Sequence, residues 1–327
     1  MTDKPIRART PLQFVRLYFT GIAMGIADLI PGVSGGTMAF ILGIYAELLD
    51  AIKSFNLDVA RLALRFKLRE AISQIPLAFL VVLVAGIGSA AFSLAHLMSW
   101  LLENQPIFLF SFFFGLILAS ILAVGAHITW LPQSIGALIA GAIGAYIIVG
   151  AVPLDMPHDP LTLFLSGSVA IMAMILPGIS GSFILLILGQ YDFVLTAVKE
   201  LDILTLIPVG LGAVLGLMGF SRVLSWLLKQ YHNVTVAVLV GFMIGSLRVI
   251  WPWKEILETR IVDGEVIPIA QRNILPTVGA ELWLALLLCI AGFLIVTVLD
   301  HMQSRSNPVF TMIGMGRSRD TGVAAAD

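Results

Sequence analysis

The sequence predicts an all-α polytopic membrane protein built as an inverted-topology repeat, each half a broken or re-entrant helical hairpin followed by three transmembrane helices. Three observations lead there. The 327 residues are 59% hydrophobic and 12% charged, with a mean hydropathy of +1.00, where a soluble domain carries roughly 25% charged residues. Apolar stretches recur along the whole chain, and none shows the alternation over about ten residues that a membrane β-barrel requires. A Pro-Gly-x-Ser-Gly break interrupts those stretches twice, in LIPGVSGGTMAFILGIY at Leu29–Tyr45 and in LPGISGSFILLILGQY at Leu176–Tyr191.

Taken in order, the apolar segments run over 14–19, 22–30, 37–52, 76–98, 106–126, 134–152, 161–176, 183–198, 203–228, 234–250 and 279–299. A span needs about 20 residues, so the short segments beside the breaks read as hairpins, either two short spans or a re-entrant loop. Lys4, Arg7, Arg9 and Arg16 precede the first hairpin (14–52), and Lys53, Arg61, Arg65, Lys67 and Arg69 follow it. Both flanks are therefore expected in the cytoplasm under the positive-inside rule. Within the basic insert 53–73, residues 57–72 carry apolar spacing and a basic face. That pattern predicts an amphipathic helix on the anionic cytoplasmic leaflet, with a solvated linker as the alternative.

Three full spans then lead to the opposite face, where the acid-bearing PLDMPHDP and KELD flank the second hairpin (161–198). Three more spans return the C-terminal segment, with Arg305, Arg317 and Arg319, to the cytoplasm. The chain thus divides into a first repeat over 1–152, a second, inverted repeat over 153–300 and a cytoplasmic tail over 301–327. No cleavable signal peptide is expected, because Asp28 and a Pro-Gly break stand where a cleavage site would follow the first apolar run. Cys289 is the single cysteine and the net charge is -1, so a disulfide framework and a nucleic-acid surface are excluded. No cofactor or metal site is expected.

The halves match residue by residue. Pro31, Gly32, Ser34, Gly35, Ile41, Leu42, Gly43 and Tyr45 recur at an offset of 146 as Pro177, Gly178, Ser180, Gly181, Ile187, Leu188, Gly189 and Tyr191. Further on, Ser99–Leu102 recurs as Ser225–Leu228, with Gly86/Gly212 and Gly115/Gly241, at an offset of 126. An odd number of spans per repeat inverts the second copy, as in many secondary transporters.

Non-helical backbone survives in a membrane only where it is packed in protein or lines a wet cavity. A half-helix that starts there aims unpaired N–H groups and a partial positive charge into that cavity, which suits a phosphate or carboxylate. Ser34, Gly35, Gly36 and Thr37 in the first break, and Ser180, Gly181 and Ser182 in the second, are the predicted donors. Arg222 is the predicted countercharge, since guanidinium stays ionised and binds phosphate oxygens bidentately. Asp28, Glu47 and His96 are the candidates for coupling to a proton or cation. The bland readings are tight turns whose glycines serve helix packing, a snorkelling arginine and a capping aspartate.

The paired PGVSGGT and PGISGS cores, each followed by Gly-x-Tyr, resemble the DUF368 family of bacterial polyprenyl-phosphate transporters of the PopT type, from about Phe14 to Asp300. The resemblance implies a flippase that recycles undecaprenyl phosphate across the bacterial inner membrane for cell-wall biogenesis, with a proton or sodium ion as coupling partner. Undecaprenyl-pyrophosphate phosphatases of the BacA type are similar in their hairpins, but their motif continues Ser-Arg-Ser and they carry a Glu-rich cluster. Here Gly35 and Gly181 follow the two serines, and no apolar segment holds paired glutamates. Transport therefore outranks hydrolysis, and a carrier of a small soluble anion is the third reading.

Overall fold

A computed structural model describes residues 10–30, 33–151, 154, 156–262, 265–304 and 307–312. Pro31 and Gly32 of the first motif lie outside the described residues, as do Lys4, Arg7, Arg9, Arg305, Arg317 and Arg319. The first half contains α1 (Pro11–Asp28), α2 (Gly35–Ile41), α3 (Tyr45–Lys53), α4 (Leu57–Leu64), α5 (Leu68–Ser73), α6 (Leu77–Asn104), α7 (Pro106–Gly125) and α8 (Pro132–Ile148). The second contains α9 (Pro160–Ile175), α10 (Gly181–Ile187), α11 (Tyr191–Glu200), α12 (Ile203–Gln230) and α13 (His232–Ile250). A ribbon of β1 (Lys254–Val262) and β2 (Glu265–Asn273) follows, then α14 (Ala280–Ser304) and α15 (Pro308–Met312).

Local chemistry sets the helix starts. Proline opens α1, α7, α8 and α9, where its missing N–H costs nothing and its φ is already helical. Asp159 caps α9 through the N–H groups of Leu161 and Thr162, and Asp202 caps α12 through those of Leu204 and Thr205. Five helices (α6, α7, α12, α13 and α14) are long and apolar enough to cross a membrane, and α2–α3 and α10–α11 raise the number to seven if each bent pair is one span. The protein is a multi-pass membrane protein. Its outer face agrees, with Phe92 of α6 96% and Leu287 of α14 60% exposed, an arrangement that water would penalise and lipid tails do not.

Several elements differ from the sequence expectation. Segments 14–19 and 22–30 form one continuous helix, α1. The runs 37–52 and 183–198 are instead each cut in two, with bends of 120° and 114°. The cause is a Schellman turn at each. Gly43 (φ 74) donates to the Phe40 carbonyl at 3.2 Å and Ile44 to that of Ala39 at 3.0 Å, while Gly189 (φ 67) and Gln190 repeat the pattern onto Leu186 and Leu185. Only glycine takes that left-handed position without strain. The expected amphipathic helix over 57–72 is two short helices, because Phe66 adopts φ 57 and lets Lys67 donate back to the Leu62 carbonyl. The all-α expectation also omitted the ribbon, whose antiparallel register runs from Lys254↔Asn273 to Val262↔Glu265. Lys254 at its root caps α13 through the Val249 carbonyl, 4.7 Å above the Phe110 ring, and burial pushes its ammonium down to about 8.

Matching elements of the two halves have matching neighbours. α6 and α12 have 28 residues each, enough for roughly 42 Å of helix. α1 packs along α6 as α9 packs along α12. The remaining helices are exchanged: α7 packs on α14 of the other half, and α13 on α8. Each of these four crossings is made at glycine. A Cβ added at Gly86 would lie 2.2 Å from the Tyr18 carbonyl oxygen, at Gly212 1.9 Å from Phe164, at Gly115 1.9 Å from Cys289 and at Gly241 2.3 Å from Leu138. Backbone rests on backbone there, the arrangement that gives apolar helices dispersion contacts which lipid cannot match.

Two outcomes follow. Gly212→Ala lowers stability by about 1–3 kcal/mol through overpacking, seen as a lower thermal midpoint of the purified protein. Gly210→Ala, whose Cβ meets nothing within 4 Å, keeps or raises it by up to about 1 kcal/mol. For pH, the Thr205 and Thr162 hydroxyls hold the Asp202 and Asp159 carboxyls below the ordinary value of 3.8. Carboxyls lowered on folding contribute stability above about pH 4 and lose it as pH falls through the lowered value. The wild-type midpoint therefore falls more steeply below pH 4 than that of an Asp159→Asn/Asp202→Asn variant.

Candidate functional site

The two breaks meet in space. At the second, α9 stops at Ile175 because Pro177 has no N–H to continue the ladder, and the last carbonyls lose their helical partners. The first break supplies replacements. Ser34 Oγ donates to the Met174 carbonyl at 2.9 Å, and Tyr45 OH donates to the Ile175 carbonyl at 3.0 Å. In return the Gly178 N–H donates to Thr37 Oγ1 at 2.9 Å. Gly178 itself sits at φ 92, and a Cβ there would lie 2.7 Å from Ser246 Oγ. A Cβ on Gly36 would lie 2.7 Å and 2.8 Å from the Ile175 and Met174 oxygens, so the fit of tip against tip depends on that glycine.

The two helix starts are not alike. In the first, Ser34 caps α2 by accepting the Gly36 N–H at 3.1 Å, and its own carbonyl accepts the Thr37 N–H at 2.9 Å. The Gly35 N–H donates to Asp28 Oδ1 at 2.6 Å, a short, charge-assisted bond. Ser34 and Thr37 are fully buried, at 1% and 0% exposure. In the second, the Ser180 side chain makes no capping bond to α10. Its hydroxyl instead lies 2.7 Å from that of Ser182; Ser182 is exposed, and Ser180 and Gly181 are half-buried. The first cradle is occupied by the protein, whereas the second opens outward.

Of the other predicted residues, Arg222 lies on the exposed side of α12. Its guanidinium donates to the Phe55 carbonyl at 3.2 Å and to that of Met218. With Lys53, which reaches Ser225 Oγ at 2.7 Å, it ties α12 to the end of α3. Glu47 is exposed in the first turn of α3, and His96 is exposed on α6. Asp28 stands at the start of α2 on the Gly35 N–H, next to the Ser34 and Thr37 hydroxyls that bond Met174 and Gly178. Among the described residues, no three His, Cys, Asp or Glu side chains gather as a metal-holding group.

Sequence reasoning assigned no role to Tyr45, Gly178 or Gln190. Gln190 is fully buried beyond the second bend, donating to the Met156 and Pro157 carbonyls at 3.2 Å each and facing His158 Nδ1 at 2.8 Å. It fastens the segment before α9 onto the bend. Tyr45 and Gly178 stood in the matched motifs, and that recurrence was the available signal.

Residues 24–267 match the undecaprenyl phosphate translocase-like family. The chain belongs to that family. The match takes in both breaks and extends from the last turn of α1 into β2. Within the curated proteins, the chain is 44% identical over 305 residues to a protein named "Polyprenyl-phosphate transporter" of Vibrio cholerae, covering 90% of this chain and 98% of that one. It is 32% identical over 251 residues to a protein of the same name from Staphylococcus aureus, covering 71% and 84%. No solved structure matches.

The contact between breaks has a direct test. Thr37→Val keeps the shape and removes the acceptor, leaving the Gly178 N–H buried and unpaired at a cost of about 1–3 kcal/mol. The thermal midpoint of this family member falls accordingly, and Thr37→Ser, which restores the oxygen, recovers most of it.

Proposed function

We propose that the protein carries a polyprenyl phosphate, in the first instance undecaprenyl phosphate, across the bacterial inner membrane. The phosphate is held at the helix breaks and the isoprenoid tail stays in lipid. The observation that carries this reading is the 44% identity to the Vibrio cholerae polyprenyl-phosphate transporter over 98% of its length. The site chemistry supports it: a hydroxyl pair and a glycine stand at an outward-facing break where a phosphate would find N–H and O–H donors.

Of the predicted donors, Ser180, Gly181 and Ser182 make the direct contact, and Ser34, Gly35, Gly36 and Thr37 build the support beneath it. Arg222, engaged with two carbonyls, steadies α12 rather than meeting the phosphate in this conformation. The two halves are inverted copies, supported by matched element lengths and bends. The basic insert and both termini face the cytoplasm. Transport moves a proton or sodium ion as well, and no covalent step is made on the lipid.

The decisive measurement is outward-facing undecaprenyl phosphate in cells depleted of the protein. It accumulates, wild-type protein clears it, and a Ser180→Ala/Ser182→Ala variant clears it at least about tenfold more slowly, as expected for lost hydrogen bonds to a charged group. No accumulation on depletion argues for a soluble anion as cargo. Release of inorganic phosphate from the pyrophosphate lipid by purified protein argues for an enzyme.

A further inference from the structure

The hexapeptide LRFKLR at Leu64–Arg69 carries the turn between α4 and α5, and nothing in the carrier reading uses it. Lys67 donates to the Leu62 carbonyl at 2.9 Å across Phe66, which sits at φ 57. In such a helix ending that place belongs to glycine, which takes it without strain. The aromatic side chain there is 90% exposed, with Leu64 80% and Leu68 57% exposed beside it. α4 and α5 pack on each other and have an inner side, where Val59 and Ala71 are buried. Leu64, Phe66 and Leu68 are therefore a second apolar set, and packing within the chain does not offset the strained turn.

Cations stand between these apolar residues. Lys67 pairs with Glu70 at 3.0 Å and Arg61 with Asp58 at 3.3 Å. Arg65 and Arg69 are exposed and pair with no carboxylate among the described residues. Connectivity sets the depth of the corner. Three residues join α3 to α4 and three join α5 to the spanning helix α6. Three residues reach roughly 10 Å at most, so the corner lies at the membrane surface where α6 enters. Its root is fixed: Arg222 holds the Phe55 carbonyl at 3.2 Å, and Asn56 caps α4 through the Asp58 and Val59 N–H groups at 2.9 Å each.

Apolar side chains interleaved with unpaired guanidiniums at that depth match a leaflet that carries anionic headgroups. Acyl chains take the leucines and the phenylalanine, and lipid phosphates take the arginines. We propose that the α4–α5 corner docks on an anionic phospholipid leaflet, with Leu64, Phe66 and Leu68 inserted below the headgroups and Arg65 and Arg69 held among them. Lipid then covers the one large apolar patch that the turn creates, and Phe66 gains the contacts that the chain itself withholds. The docking is independent of the cargo, and it holds whether the protein carries a lipid phosphate or a soluble anion.

The test places a fluorophore at the corner of the full chain. In a Cys289→Ala background, Phe66→Cys is labelled with NBD and the purified protein is set in phosphatidylcholine nanodiscs, with or without phosphatidylglycerol. The discs also contain phosphatidylcholine with a nitroxide high on its acyl chain, which quenches only a label that enters the leaflet. Quenching is expected to be at least about twofold stronger in the phosphatidylglycerol discs, because each arginine shifts docking by about fivefold. Arg65→Gln/Arg69→Gln removes that difference, and so does high salt. Equal quenching in the two kinds of disc overturns the anionic leaflet as partner. A label that aqueous iodide quenches and the lipid nitroxide does not, in both kinds, overturns the docking itself and leaves the corner to water or to another protein. If Phe66→Cys lowers the thermal midpoint, the same label at Leu68→Cys, outside the strained position, gives the reading.

Discussion

The structure depends on one constraint: a helix broken at membrane depth must find partners for the backbone groups it uncovers. α9 ends with the Met174 and Ile175 carbonyls uncovered, and the hydroxyls of Ser34 and Tyr45, from the other half of the chain, take them. The Gly178 N–H is satisfied by Thr37. Each break is therefore stable because the other is there. That mutual satisfaction is a strong reason for the chain to carry the motif twice, and it places two half-helix starts side by side as a by-product.

Around this centre the packing follows the rules of lipid rather than water. Large apolar side chains face outward, and the internal contacts are made by small residues and backbone. At the α9–α12 crossing, the Ser168 hydroxyl bonds both its own turn at the Phe164 carbonyl and the Gly212 carbonyl opposite, at 2.9 Å each. The same closeness that excludes a methyl group at Gly212 brings that carbonyl within reach.

Much of this was readable in the sequence. The offsets of 146 and 126 located equivalent helices to the residue, so that α2 and α10, and α6 and α12, begin at matching positions. Composition and the two breaks sufficed for a polytopic helical protein with a polar centre. What escaped has physical reasons. The bends at Gly43 and Gly189 need a left-handed residue, and a lone glycine in an apolar run does not announce its φ. The bond from Arg222 to the Phe55 carbonyl escaped as well, because a partner 167 residues away leaves no local pattern. The difference between a buried Ser34 and an accessible Ser180 is set by tertiary contacts between halves, which identical local motifs cannot express. The ribbon over Lys254–Asn273 fell in a polar gap where no membrane argument applied.

The exchange of helices between the halves bears on how the chain is made. α7 finds its main partner in α14 and α8 finds its in α13, so a nascent chain that has inserted only its first half holds both helices against lipid, with Gly115 and Gly141 facing no backbone. Such pairings join segments far apart in sequence, and they form late, after most of the polypeptide has been synthesised. During that interval the first half is an unfinished surface of small residues and an unmatched break. The last of these pairings needs α14, and a ribosome that stalls before it leaves α7 in the membrane with Gly115 facing lipid.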